Sequence, residues 1–364
     1  MSAINNQKWY LSYDVARIIA IISVIFVHIS VVISIGIDPK TSEYYTGTIL
    51  RILSIIGVPF FLMISGALLL NEEKNLITGN FIKNSWFLLV LITIFWVLFY
   101  GIFYSYVIPT LYNQPPSLDI FINYVTHFSG YLIPHMWYMY MIIGMYLLIP
   151  VLRLFVKKEN RNIIKWLIIG SLIIQFIPKT LGILTINADF TIENFVAQFY
   201  LNPLTGYIAY FLIGWYLTTF PISKSKRRLI YILGISSVIF LIWFSLTNIT
   251  SISVFYTYLY DGDGILALLY SIALFVLIIY IFNDKEDIYP SIKKLSRFTF
   301  GIYIIHALFL ELTSRMILPY SKFPLQIPIL YALILFAFTF IMSYITVLLV
   351  SKVKYLRKIF YLKN

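Results

Sequence analysis

Apolar residues run along this chain in blocks of about 20, each closed by a short polar or basic stretch, and that is the length a helix needs to cross a bilayer. The blocks predict ten spanning helices, at about 13–34, 48–70, 84–108, 136–155, 162–178, 204–220, 228–247, 264–282, 297–317 and 327–350. An even number puts both termini on one side. The first block carries Asp14 and Arg17, exceeds the apolar stretch of a secretory signal and lacks a small-x-small cleavage site, so it is expected to remain as a helix. The longest stretches between blocks, about 109–135, 179–203 and 248–263, are expected on the outer side, either as a vestibule or as plain connectors. His127, in the first of them, is expected to be solvated. No internal repeat stands out.

Charge fixes the orientation. With a cytoplasmic N-terminus, 21 of the 27 Lys and Arg fall in the inner segments and four (Lys40, Lys179, Arg315 and Lys322) in the outer ones, while Arg17 and Arg51 fall within spans. That asymmetry places both termini inside. It also accounts for the net charge of +12 without invoking nucleic acid.

Over 364 residues, 60% are hydrophobic and 12% charged, and the mean hydropathy is +0.88. This composition excludes an ordinary cytosolic enzyme and a disordered chain. The absence of cysteine excludes a disulfide framework, thiolate catalysis and Cys-ligated metal. There is no Walker A sequence, nucleophile elbow, HExxH or GxGxxG, so neither ATP hydrolysis nor zinc-protease chemistry is expected. The expectation is an all-α integral membrane protein, a single domain over 1–364 with cytoplasmic tails at about 1–12 and 351–364.

The informative residues are the ionisable ones at bilayer depth, where a charge costs several kcal/mol and therefore faces the bundle interior. Arg17 and His28 are eleven residues apart, about three turns plus 20°, so they share a face about 16 Å apart along the axis. Asp14, three residues before Arg17, is placed to pair with it. This polar stripe on an Ile- and Val-rich helix puts a cation near the cytoplasmic edge and an imidazole near or beyond the bilayer centre. It suits an anionic cytoplasmic donor whose reactive end reaches inward. The structural alternative is an Asp–Arg pair locking the first helix to a neighbour, with His28 hydrogen-bonded in the core.

Arg17-x10-His28 resembles the hallmark of the membrane acyltransferase-3 family. Further segments resemble the family's later patterns in consistent order: Arg51 followed by Gly57-Val-Pro-Phe-Phe-Leu-Met-Ile-Ser-Gly66, His135-Met-Trp-Tyr138, Phe211-Leu-Ile-Gly-Trp-Tyr-Leu217 and Phe300-Gly-Ile-Tyr-Ile-Ile-His306. The resemblance runs from about 10 to 350 and is closest to the standalone glycan O-acetyltransferases. One departure concerns the third span, where many members carry several arginines and this chain has Phe81-Ile-Lys-Asn-Ser-Trp86, with Lys83 as the cation.

The resemblance implies transfer of an acyl group, usually acetyl, from cytoplasmic acyl-CoA to a hydroxyl of an extracytoplasmic or lipid-linked glycan, and no metal is expected; the Ile-, Asn-, Lys- and Tyr-rich composition points to a bacterial source, and the plasma membrane is the expected location. His28 can take the acceptor's proton or carry the acyl group transiently; the residues do not separate these routes. Arg17 can orient His28 or hold a CoA phosphate, with Asp14 orienting Arg17. Arg51 can pair with an acid or touch the acceptor. His135, Trp137 and His306 are candidates for the acceptor, against interface anchoring for Trp137 and core packing for His306. Ser65-Gly66 reads as substrate contact or close helix packing, and Gly57-Val58-Pro59 as a kink that makes an opening. The basic run with Arg153, Lys157 and Lys158 reads as a topology signal or a landing site for CoA phosphates. Competing expectations are an exporter or flippase of a polysaccharide or lipid-linked sugar, and a structural partner in a glycan-synthesis complex; a homo-oligomer is compatible with each.

Overall fold

The computed structural model describes residues 11–34, 37–71, 78–126, 135–184, 207–247, 264–282, 289–317, 327–354 and 356–360. His127, most of the expected outer stretch 179–203 and all of the stretch 248–263 lie outside the described residues. Among the described residues there are helices and no strand: α1 (Leu11–Ser34), α2 (Ser42–Ser54), α3 (Gly57–Leu69), α4 (Gly79–Leu111), α5 (Leu118–Thr126), α6 (Trp137–Phe155), α7 (Arg161–Leu184), α8 (Ile208–Thr219), α9 (Lys224–Thr247), α10 (Ile265–Phe282), α11 (Pro290–Leu312), α12 (Pro328–Val350) and α13 (Leu356–Ile359). Eight units are long and apolar enough to cross a membrane: α1, α2 with α3, α4, α6, α9, α10, α11 and α12. α7 and the shorter apolar α8 occupy the two remaining expected spans.

The second expected span starts earlier and is broken. Thr41 opens α2, its hydroxyl accepting from the Tyr44 N–H at 3.3 Å. The helix stops at Ser54 because Pro59 has no N–H and its ring excludes a helical carbonyl at Ile55. In the first turn of α3 the same proline is harmless, since those N–H groups lack helical partners anyway. A second proline acts on α4. Pro109 cannot bond the Ser105 carbonyl, which instead accepts from the Ser117 N–H at 3.2 Å, and the adjoining turn Phe103–Val107 widens to a π-helix.

α1 is the central helix and packs on α2, α3, α10, α11 and α12. Outer helices face lipid instead. α9 exposes Ile232, Ile235, Ile239 and Trp243, as expected where the solvent is hydrocarbon. Two glycines bring α3 and α8 into backbone contact. A Cβ at Gly66 would lie 1.8 Å from the Phe211 carbonyl oxygen, and one at Gly214 2.0 Å from that of Met63. In lipid such close approach supplies the association that burial from water supplies elsewhere.

Candidate active site

Near its N-terminus α1 carries an ion pair tied to α11. The Arg17 Nη1 donates to Asp14 Oδ1 at 3.1 Å and reaches the Ser296 hydroxyl oxygen at 3.4 Å, while the Ser296 hydroxyl donates to the same Asp14 oxygen. Asp14 is sealed, its side chain 2% exposed, whereas that of Arg17 is 30% exposed. The carboxylate is therefore the buried anchor, and the guanidinium retains an open side for another anion.

Three turns further on, His28 meets two other histidines. Its ring centroid lies 5.2 Å from that of His306 on α11 and 6.4 Å from that of His135, just before α6; His135 and His306 are 5.3 Å apart. Three segments far apart in sequence thus converge on one imidazole cluster. The His306 Nδ1 contacts the Tyr303 carbonyl, which can only accept, so Nδ1 carries the proton and Nε2 keeps a lone pair. His306 Nε2 and both ring nitrogens of His135 are buried without a hydrogen-bond partner among the described residues. Buried polar atoms left this way are costly, and each calls for a partner such as a water or a bound group. The cluster is braced by tyrosines. The Tyr303 hydroxyl donates to the His135 carbonyl, and the buried Tyr100 hydroxyl donates to the Ile304 carbonyl at 2.7 Å while its ring packs 4.9 Å from His135.

His28, Arg51, His135 and Trp137 line one cavity of about 480 Å³, together with Ser54, Gly57, Val58, Tyr138, Tyr207 and Tyr303. This volume is within the usual range for a small-molecule site. The break between α2 and α3 forms one wall. Gly57 lets that wall sit against α1, for a Cβ there would be 2.8 Å from a Val24 methyl. Trp137 and Tyr207 place their rings 5.3 Å apart at 35°.

The other candidates are elsewhere. His306, fully buried, stands behind His28 rather than on the cavity wall. Ser65 is on α3 away from the lining, while its neighbour Gly66 makes the backbone contact with α8. Arg153 closes the end of α3, its Nη1 donating to the Leu69 carbonyl at 2.9 Å. Lys83 is exposed in a π-helical turn, Ile82–Trp86, and Lys157 is exposed and 3.8 Å from Glu159. Lys158 lines a second cavity, of about 440 Å³, at the opposite ends of the same helices.

Tyr138, Tyr207, Tyr303 and Tyr100 are site residues that sequence reasoning did not single out. For Tyr303 a signal existed: it precedes His306 by three residues and so shares its helix face. A family model described as an acyltransferase domain matches residues 10–348. No curated protein and no solved structure matches the chain.

Proposed function

This chain belongs to the acyltransferase-3 family and is a multi-pass membrane acyltransferase; on that premise we propose that it moves an acetyl group from cytoplasmic acyl-CoA to a hydroxyl of a cell-surface or lipid-linked glycan, with His28 handling the proton. The observation that carries this reading is the meeting of His28 and His135, backed by His306, at the wall of a cavity that also holds a cation and an aromatic pair.

An acceptor hydroxyl in the cavity gives its proton to a ring nitrogen of His28 as its oxygen attacks the thioester carbonyl. The carbonyl electron pair collects as an oxyanion, for which Arg51 is the cation in the same wall. When the pair returns, the C–S bond breaks and the sulfur leaves with the proton held by His28, so the imidazole ends neutral, as it began. In the variant route a His28 nitrogen takes the acyl group first, CoA thiol departs, and the hydroxyl then attacks the acyl-imidazole. Both routes require one histidine with a lone pair at the cavity, and His306, its Nδ1 proton committed to a backbone carbonyl, packs behind that ring and holds it in place. Trp137 and Tyr207 offer aromatic faces to the C–H faces of a sugar ring, which favours a glycan acceptor. Arg17, anchored by Asp14 and Ser296, meets the anionic donor nearer the cytoplasm.

The test is transfer itself. Acetyl-labelled acetyl-CoA supplied to vesicles with the cytoplasmic face outward is expected to pass its label to an endogenous or added glycan. Export of unlabelled glycan with the donor left intact would overturn the reading.

A further inference from the structure

We propose that the short helix α13 positions His135 for acyl transfer, acting through Phe360, Trp96 and Tyr100, none of which lines either of the two cavities; the proposal rests on the acyltransferase reading above. The stretch after α12 carries Lys352, Lys354, Arg357 and Lys358, and a segment so basic is expected to stay in water as a tail. Its tip turns inward instead. Lys352, Lys354 and Lys358 are exposed, whereas Phe360, directly after α13, is 3% exposed.

Three spanning helices receive that tip. On α11 and α12 the room comes from Gly301, where a Cβ would lie 3.0 Å from both Val347 methyls and 3.3 Å from the Phe360 Cδ1. This is the glycine of the Phe300–His306 segment, which the reaction cavity leaves without a role. On α4 the Trp96 Nε1–H donates to the Ile359 carbonyl at 2.9 Å, and the Phe360 ring meets the Trp96 ring edge-on at 5.1 Å. An indole N–H buried in a membrane bundle needs an acceptor, and here α13 supplies it.

From Trp96 the contact continues to the histidines. Tyr100 is one turn further along the same face of α4, its ring 5.9 Å from that of Trp96. Its hydroxyl is tied to the Ile304 carbonyl, two residues before His306, and its ring stands at 77° to that of His135 with the centroids 4.9 Å apart. Phe360, Trp96, Tyr100 and His135 are all buried, and a close-packed interior passes a displacement on. His135 depends on such support. The Tyr303 hydroxyl holds its carbonyl, but neither ring nitrogen has a partner among the described residues, so among them ring packing sets its direction. A group at the wall of a reaction cavity that moves by about 1 Å can cost about 10²-fold in rate.

The experiment uses the full chain in lipid nanodiscs with isotope-labelled histidine, whose ring signals come from four residues. Phe360→Ala and Trp96→Phe are compared with Lys358→Ala, a change at an exposed residue of the same short helix. The first two are expected to move the His135 ring signals, which are identified by their loss in His135→Gln. They are also expected to lower kcat about 10- to 100-fold while KM for acetyl-CoA stays unchanged. Lys358→Ala is expected to do neither. Trp96→Phe keeps a ring in place and removes only the bond to Ile359, so it reads the tie even where Phe360→Ala does not fold. Unmoved His135 signals in Trp96→Phe overturn the proposal, and so does a native kcat with a lower thermal midpoint, which makes α13 a packing element alone. An equal loss of rate in Lys358→Ala overturns it too, since charge and not the buried ring would then be the cause. In each of these cases the native chain still transfers acyl groups and the proposed function stands; if the native chain consumes no acyl donor, the function itself has failed.

Discussion

The two ends of α1 do opposite things with the same helix. At the N-terminal end Asp14 and Arg17 form a charged pair braced by Ser296, and the neighbouring cavity is walled by Lys158 and flanked by Arg161 and Arg227. At the other end three imidazoles meet among tyrosines, and Arg51 is the one basic side chain among the residues lining that cavity. The first environment suits holding a polyanion, because fixed cations lose little in binding it. The second suits moving a proton, because a ring nitrogen with a lone pair can take one up and hand it on. α1, α3 and α8 each have one end in each cavity, so the three together set the distance between binding and chemistry.

The sharpest way to separate the two ends is His28→Ala. It is expected to lower kcat about 10²- to 10⁴-fold, the usual contribution of a positioned acid–base group, with acyl-donor affinity unchanged. Steady-state kinetics together with donor binding measure both. A loss of donor binding equal to the loss of rate would show that the two ends are one site, and the comparison would collapse.

Next in size is a change that moves the ends relative to each other without touching either. Gly214→Ala sets a methyl 2.0 Å from the Met63 carbonyl oxygen, where backbone and not a flexible side chain must yield. Overpacking of this kind costs about 1–3 kcal/mol. The expected outcome is a lower thermal midpoint in detergent, with transfer falling more than donor binding, since each cavity survives but their separation does not. Unchanged stability would mean that the α3–α8 contact is looser than its geometry.

How much of this was legible in the chain follows from the range of the interactions. The spans, the shared face of Arg17 and His28, and the Asp14–Arg17 pair are set within a few turns of one helix, and periodicity and charge reveal them. The break before Gly57 was half legible: Pro59 marks a disruption, but only its first-turn position in α3 shows that the helix stops at Ser54 rather than bending. The convergence of His28, His135 and His306 was not legible, because three segments separated by more than a hundred residues fix it through tertiary packing. Nor was the bond from the Arg153 guanidinium to the orphaned Leu69 carbonyl legible, since the two residues are far apart in sequence. The cavity lined by Lys158 was hidden for the same reason as the histidine cluster, since Lys158, Phe220 and Tyr280 are ordinary inter-helix residues until five elements bring them together.

Arg17→Lys tests whether the inner end depends on shape as well as charge. One guanidinium nitrogen serves both Asp14 and Ser296, and the planar fork leaves other N–H groups for the donor. A lysine ammonium is a point donor and cannot keep both duties. KM for acetyl-CoA is expected to rise about tenfold, the scale of one charge-assisted hydrogen bond, with a smaller change in kcat. A native KM would assign Arg17 to the fold alone and leave the donor to the Lys158 cavity.

The smallest effect is expected at the outer rim, and it bears on which molecule enters there. Trp137 is half-buried, so it is neither a core residue nor a solvated one, and its ring meets Tyr207 at 5.3 Å beside the cavity. An aromatic pair at that edge contributes about 0.5–1.5 kcal/mol beyond area burial, or roughly two- to tenfold in affinity. If the pair serves as a platform for a sugar ring, Trp137→Leu keeps the apolar volume but loses the flat face, and KM for the glycan acceptor rises by that factor while KM for acetyl-CoA stays put. If Trp137 instead anchors α6 at the membrane interface, the same substitution lowers the thermal midpoint and leaves both KM values alone. The outer end then recognises its acceptor through the histidines and Arg51, and the difference between the two ends of α1 lies in charge without a contribution from aromatic shape.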